Sequence, residues 1–282
     1  MNLFMSFQQE IETGNFAPHS RPFRANAPFR LVDWNIDRGL KLAGIVDFLE
    51  SANADLILLQ EADLNARRTH HLHIAREIAQ KLRMNYVFGL EFQELTQGTE
   101  KSPAYHGQAT LSPWPLSNPR LIRFRNQSHF WRPRWFLPNL EPFQERIGGR
   151  IALVSELNLG DRKLLNYNLH LESRGNDALR CSQLNECLED VRRCRTDIVI
   201  VAGDFNLDVS RSSAARLMER AGFKNTAARH PARTTPSHSI FEAGRPIDWI
   251  FTRGRLSAAK LYVHSSVSAS DHFPLSINLD VT

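Results

Sequence analysis

Short apolar runs recur along the chain, and each ends in polar residues. Phe29-Arg30-Leu31-Val32-Asp33-Trp34-Asn35, Asp55-Leu56-Ile57-Leu58-Leu59-Gln60-Glu61 and Ile198-Val199-Ile200-Val201-Ala202-Gly203-Asp204-Phe205-Asn206 have the near-continuous apolar character of strands buried on both faces. Elsewhere the period lengthens. Leu42, Ile45, Val46 and Leu49 fall at helical spacing, as do Leu72, Ala75, Ile78, Ala79 and Leu82, for which Thr69 is the expected N-cap. Residues 177–195 predict a third helix and 212–221 a short fourth, with Gly222 placed to close it. Residues 86–89 and 107–111 are short strand candidates around a polar loop, 91–106. Residues 150–158 and 163–170 predict a hairpin turning at Gly160-Asp161, and 246–251, 258–264 and 275–281 three last strands. Hairpins mixed with buried strands and crossover helices predict a single α/β domain with mixed sheets over residues 29–282. Residues 1–28, with Gly14, Pro18, Pro22 and Pro28, predict a leader or wrapping arm.

Composition narrows the class. The 282 residues are 42% hydrophobic and 23% charged, as in a globular protein long enough to bury a substantial core. A formal net charge of +5 favours an anionic partner. The three cysteines, Cys181, Cys187 and Cys194, share one helix at spacings unlike a metal knuckle and read as reduced thiols. Residues 1–9 lack a secretory signal and no apolar run reaches the length of a membrane span, so the expectation is a cytoplasmic protein. Nothing in the sequence points to a protein partner.

The polar residues at the strand ends carry the chemistry. They are Asn35, Gln60-Glu61, His170 with Glu172, Asp204 with Asn206, Asp248, and Asp271-His272. Asp204 and Asn206 share a side if extended geometry persists; the alternative is an Asx turn that ends a strand. Six strand ends delivering carboxylates, carboxamides and imidazoles predict one polar cleft. Such oxygen ligands suit Mg2+ or Mn2+ rather than zinc, and a hard cation beside histidine is apparatus for attacking phosphorus.

The ordered series Trp34-Asn35, Gln60-Glu61, Gly107-Gln108-Ala109-Thr110-Leu111-Ser112, Asn168-Leu169-His170, Gly203-Asp204-Phe205-Asn206, Ile247-Asp248-Trp249-Ile250-Phe251 and Ser270-Asp271-His272-Phe273-Pro274-Leu275 resembles the endonuclease/exonuclease/phosphatase superfamily over about residues 29–281. That group is the pancreatic-deoxyribonuclease-like metal-dependent phosphoesterases. The resemblance implies a four-layer α/β sandwich, two central mixed β-sheets flanked by helices. It implies that Glu61 holds the divalent cation, Mg2+ or Mn2+, with Asn35 close by and Asp271 able to add a contact. Asp204 and Asn206 would position the attacking water and contact phosphate. His272 would act as base or transition-state stabiliser, oriented by Asp248, and His170 would contact phosphate or protonate the leaving group.

Substrate is less defined. The family acts on DNA, RNA, phosphotyrosyl-DNA links, inositol phosphates and sphingomyelin, so fold does not choose among them. After Trp34-Asn35 this chain reads Ile36-Asp37-Arg38-Gly39, unlike the WNVNG-type pattern of the abasic-site endonuclease branch. The expected substrate is a phosphodiester in nucleic acid, DNA or RNA. The alternatives are a small phosphorylated molecule, a phospholipid head group, or an inactive basic binder on the same fold. Arg150 is a phosphate contact or a strand start. Residues 120–136 interleave Arg132 and Arg134 with Trp131 and Trp135, as substrate platform or packing. Arg67, Arg68, His70, His71 and His73 read as a solvated helix start.

Overall fold

The computed structural model describes residues 10–18, 27–134, 136–140, 143–159, 162–196, 198–227, 232–237 and 243–282. The apolar runs become strands whose side chains alternate between two cores. On Phe29–Arg38, Phe29 and Leu31 join one core while Val32, Trp34 and Ile36 join another. Leu56 and Leu58 part from Ile57 and Leu59 in the same way on Leu56–Leu64. So do Ile198, Ile200 and Ala202 from Val199 and Val201 on Ile198–Asp204. Both faces are covered, which is what an unbroken apolar run requires.

Two mixed sheets result. The main path of the nine-stranded sheet runs Ile11–Asn15, Asn85–Glu94, Ala104–Ser112, Leu56–Leu64, Phe29–Arg38, Leu275–Val281, Leu256–Ala258. Arg146–Gly148 joins it beside Asn85–Glu94, and Tyr262–Val263 beside Leu275–Val281. The six-stranded sheet runs Lys224–Asn225, Asp248–Arg253, Ile198–Asp204, Arg162–His170, Ile151–Leu159, Leu116–Arg123. A core including Leu31, Leu58, Ile200, Ile250 and Ile277 fills the space between them. Helices Leu42–Ala52 and Ile74–Leu82 cover the first sheet through Ile45, Leu49, Ala75 and Ile78. Asp177–Arg193 and Ala214–Arg220 cover the second through Leu184, Leu188, Val191 and Met218. The architecture is a four-layer α/β sandwich, with the mixed sheets that the pattern predicts and the layering that the family resemblance implies. None of the described helices is long and apolar enough to cross a membrane.

Several elements depart from expectation. Within the proposed leader, Ile11–Asn15 is an edge strand paired antiparallel with residues 85–89. The polar loop expected over 91–106 is shorter, spanning 95–103, because both of its ends are strand, where Glu91, Glu94 and His106 are buried polar residues with partners across the sheets. Thr69 closes a 3-10 turn, Arg67–Thr69, and His73 caps the following helix by accepting a hydrogen bond from the Arg76 amide at 3.4 Å. Arg68 is no solvated helix start, since it pairs with Asp63 and Glu94. The strand expected over 258–264 divides into two short ones on the last strand. The hairpin turn Gly160-Asp161 lies outside the described residues.

Gly203 holds the two central parallel strands of the second sheet close together. Its φ is 136°, and a Cβ there would drive into the Leu169 carbonyl oxygen. Gly203→Ala should cost roughly 1–3 kcal/mol for backbone strain and a similar amount for overpacking. The expected reading is a lower urea midpoint at unchanged m-value. A wild-type midpoint would contradict this close approach.

Candidate active site

The site follows from a gradient along the inner faces of the sheets. By alternation, Phe29–Arg38 presents Phe29 and Leu31, then Asp33 and Asn35. Leu56–Leu64 presents Leu56 and Leu58, then Gln60. Arg162–His170 presents Leu164, then Asn166, Asn168 and His170, and Ile198–Asp204 runs from Ile198 through Ala202 to Asp204. Parallel register places Asn35 beside Gln60 and His170 beside Asp204, while the antiparallel neighbour places Asp248 opposite Asp204. The polar ends therefore meet at one edge.

The sheets are tied together there by amides. Gln60 Nε2 donates to Asp33 Oδ1 at 2.9 Å and Asn168 Oδ1 at 2.7 Å, and Asn168 Nδ2 donates to the Leu59 and Ala109 carbonyls. Asn35 Nδ2 donates to Asp204 Oδ2 at 3.2 Å. Asp33 was not foreseen as part of this layer. Burial, reinforced by the charges of Asp248 and Asp204, pushes its carboxyl well above the usual range despite the Gln60 hydrogen bond.

Two histidines converge on Asp204. His272 Nδ1 lies 2.9 Å from Asp248 Oδ2, and its Nε2 is 3.8 Å from Asp204 Oδ2. Burial opposes its protonation, but the charge and hydrogen bond of Asp248, with Asp204 and Asp271, outweigh burial and hold the imidazole well above its ordinary value. His170 Nε2 lies 3.6 Å from Asp204 Oδ2 and 3.7 Å from Glu61 Oε1. Behind it stands Glu91, which the sequence hid inside a presumed loop, with Oε2 at 3.3 Å from His170 Nδ1. Burial raises the Glu91 carboxyl, yet the charges of His170 and Arg150 bring it down to about 2.

Glu61 reaches the cluster through a bulge. Register slips against both neighbouring strands around Gln60-Glu61, and Glu61 itself has φ 56°. A left-handed residue without glycine costs on the order of 1–3 kcal/mol and persists only where surroundings hold it. The gain is aim, since a bulge redirects a side chain that alternation would send elsewhere. Burial raises the Glu61 carboxyl, but His106, His170, Arg38 and Arg150 together hold it well below the usual range.

Other expected residues fall differently. The strand stops at Asp204, and Asn206, at φ 52°, turns back so that its amide donates to Asp204 Oδ1 at 2.8 Å. The Asx turn and the polar site are thus the same feature. Asp271 is exposed at the rim. Arg150, expected as a phosphate contact, is buried: its Nη1 donates to Glu91 Oε1 at 2.7 Å and lies 2.8 and 2.7 Å from the ring nitrogens of His170. Trp131, expected to stack on substrate, is only 3% exposed; its indole donates to Glu172 Oε1 and its ring packs on Phe92 and Phe130. Glu172 is buried beneath this loop, where it accepts from the Ser128 amide and the Trp131 indole. Arg132 is exposed and Arg134 half-buried over the Phe130 ring, while Trp135 lies outside the described residues.

The donor set fits a hard divalent cation. Ligand atoms of Asp204, Asp248 and His272 lie within 4.8 Å of one another and form the compact acidic–histidine group of the described residues. His272 is already bridged to Asp248, so that trio reads as a hydrogen-bonded relay. Glu61 is better placed to ligate: it is ionised, and its oxygens stand 3.7 and 4.0 Å from His170 and His106, beyond hydrogen-bond reach of either. Carboxylate and amide oxygens from Glu61 and Asn35 suit Mg2+ or Mn2+.

Comparisons agree with this geometry. The profile of the Endonuclease/Exonuclease/phosphatase family matches residues 34–272. No curated protein matches by sequence. Among solved structures, an endonuclease/exonuclease/phosphatase from Beutenbergia cavernae superposes with TM-score 0.64 at 16% identity, covering 90% of this chain and 72% of that one. TDP2 from C. elegans superposes with TM-score 0.61 at 18% identity, covering 90% and 75%. A humanized D. rerio TDP2 gives TM-score 0.62 at 18% identity, covering 89% and 98%. At these identities the likeness is one of fold. With the profile spanning most of its length and every strand-end motif in order, this chain belongs to the endonuclease/exonuclease/phosphatase family.

Proposed function

We propose that the protein hydrolyses a phosphodiester with the help of Mg2+ or Mn2+ held by Glu61, with Asn35 beside it and Asp271 at the rim. The observation that carries this reading is the meeting of Glu61, His170 and His272 around Asp204, each within 3.8 Å of a partner in the group. The cation, when bound, would neutralise charge on the non-bridging phosphate oxygens. Asp204 accepts hydrogen bonds and orients a water, with its position fixed by Asn35 and the Asn206 amide. His272, kept protonated by Asp248, presents an N–H from Nε2 to a phosphoryl oxygen. His170, beside Glu91 and Arg150 and 3.6 Å from Asp204, would contact a phosphate oxygen or pass a proton to the leaving oxygen.

The substrate we favour is nucleic acid. The net charge of +5 and the exposed Arg132 with half-buried Arg134, on the loop that packs Trp131 against Glu172, support it. The TDP2 structures share the fold at low identity, which adds context without choosing a substrate. A panel of single- and double-stranded DNA, RNA, 5′-phosphotyrosyl DNA, an inositol phosphate and a choline phospholipid, each with Mg2+ or Mn2+, tests the choice. Preferred turnover of the last two would overturn it. Arg132→Ala with Arg134→Ala should weaken binding of a long strand and reduce its salt slope by about one per arginine. Hydrolysis of bis-p-nitrophenyl phosphate should be unchanged; equal loss on both substrates would make the loop structural.

A further inference from the structure

A second imidazole stands near Glu61, at the carboxylate oxygen that does not face His170. His106 lies directly across the antiparallel ladder from Asp63 and is fully buried. Its Nδ1 is 3.1 Å from Asp63 Oδ1. Asp63 is pinned in turn by a two-pronged Arg68, with Nε at 2.7 Å and Nη2 at 2.8 Å, and Arg68 Nη1 is braced by Glu94 at 3.0 Å. The ring is therefore fixed at one end. At the other, His106 Nε2 has no hydrogen-bond partner and faces Glu61 Oε2 at 4.0 Å.

We infer that His106, anchored by Asp63 and Arg68, is a positioning residue that holds Glu61 in its bulged conformation for a divalent cation. The inference rests on the reading of Glu61 as a ligand. A left-handed glutamate needs something to hold it, and a buried polar atom left without a partner needs something to meet. The gap of 4.0 Å lets one small movement of the Glu61 carboxylate satisfy both. With Nδ1–H given to Asp63, this contact uses the imidazolium form of the ring, whose Nε2–H goes to one Glu61 oxygen while the other stays open to the cation. Carboxylate ligands are ordinarily held by such outer partners, and losing one costs about 10- to 100-fold in metal affinity. A network serving only to stabilise the strands would leave that affinity alone.

Calorimetric titration of the intact protein with Mn2+ alone separates the cases. Glu61→Gln should abolish or sharply weaken binding. His106→Ala should weaken it about 10- to 100-fold, and His106→Gln, whose amide can still donate to Glu61, should recover most of the loss. Asp63→Asn, which keeps shape but slackens the anchor, should weaken it in the same direction and stands in if His106→Ala does not fold. If Glu61→Gln lowers affinity while His106→Ala and Asp63→Asn bind Mn2+ as wild type, the inference is overturned and the ligand assignment survives. If Glu61→Gln binds as wild type, the ligand assignment fails and the inference falls with it.

Discussion

Glu61→Gln should lower turnover about a thousandfold while leaving the protein folded. The change keeps the shape of the side chain but removes the charge a hard cation requires, and charge stabilisation by a bound metal is worth several kcal/mol in the transition state. The fold should tolerate it, since Glu61 is at the mouth of the cleft and its neighbours His106 and His170 keep their other partners, Asp63 and Glu91. Turnover with added metal, compared at matched thermal midpoints, is the measurement. EDTA-sensitive turnover at the wild-type rate would remove Glu61 from the ligand set.

His272→Ala should cost about a hundredfold to ten-thousandfold in kcat, the usual range for a positioned proton donor or acceptor. Metal affinity should change little, because His272 faces Asp204 and Asp248 rather than Glu61. Asp248→Asn isolates the electrostatic part. The Asp248 charge raises the His272 value against burial, so the pair stabilises the fold fully below the ordinary 6.5 and less as pH climbs through the raised value. In Asp248→Asn that support is gone, and the His272 titration followed by NMR should move down. A near wild-type His272→Ala beside a dead His170→Ala would require the two histidines to exchange roles.

The inner-face gradient explains what the sequence made legible. Asn35, Gln60, His170, Asp204 and Asp248 all end or begin apolar runs, so periodicity alone could point to them. Trp34 and Leu31 likewise announce which face meets helix and which meets sheet. Other residues escaped for physical reasons. Glu91, Glu94 and His106 are buried polar residues whose partners come from strands distant in sequence, so locally they look like loop. Arg150 and Trp131 look like surface ligands in sequence because nothing nearby shows that Glu91 and Glu172 will bury them. Asn206 follows the Asx-turn alternative because the strand ends at Asp204, two residues before it. A run of charges spaced two apart, such as Glu61 and Asp63 opposite His106, is the signal that could have revealed the second histidine.

The most direct test of a metal-dependent phosphoesterase centred on Glu61, Asp204 and His272 is hydrolysis of bis-p-nitrophenyl phosphate by the wild-type protein. The account predicts p-nitrophenolate release that EDTA stops and that excess Mg2+ or Mn2+ restores. Release at the same rate in EDTA, or no release with either cation present, would contradict it.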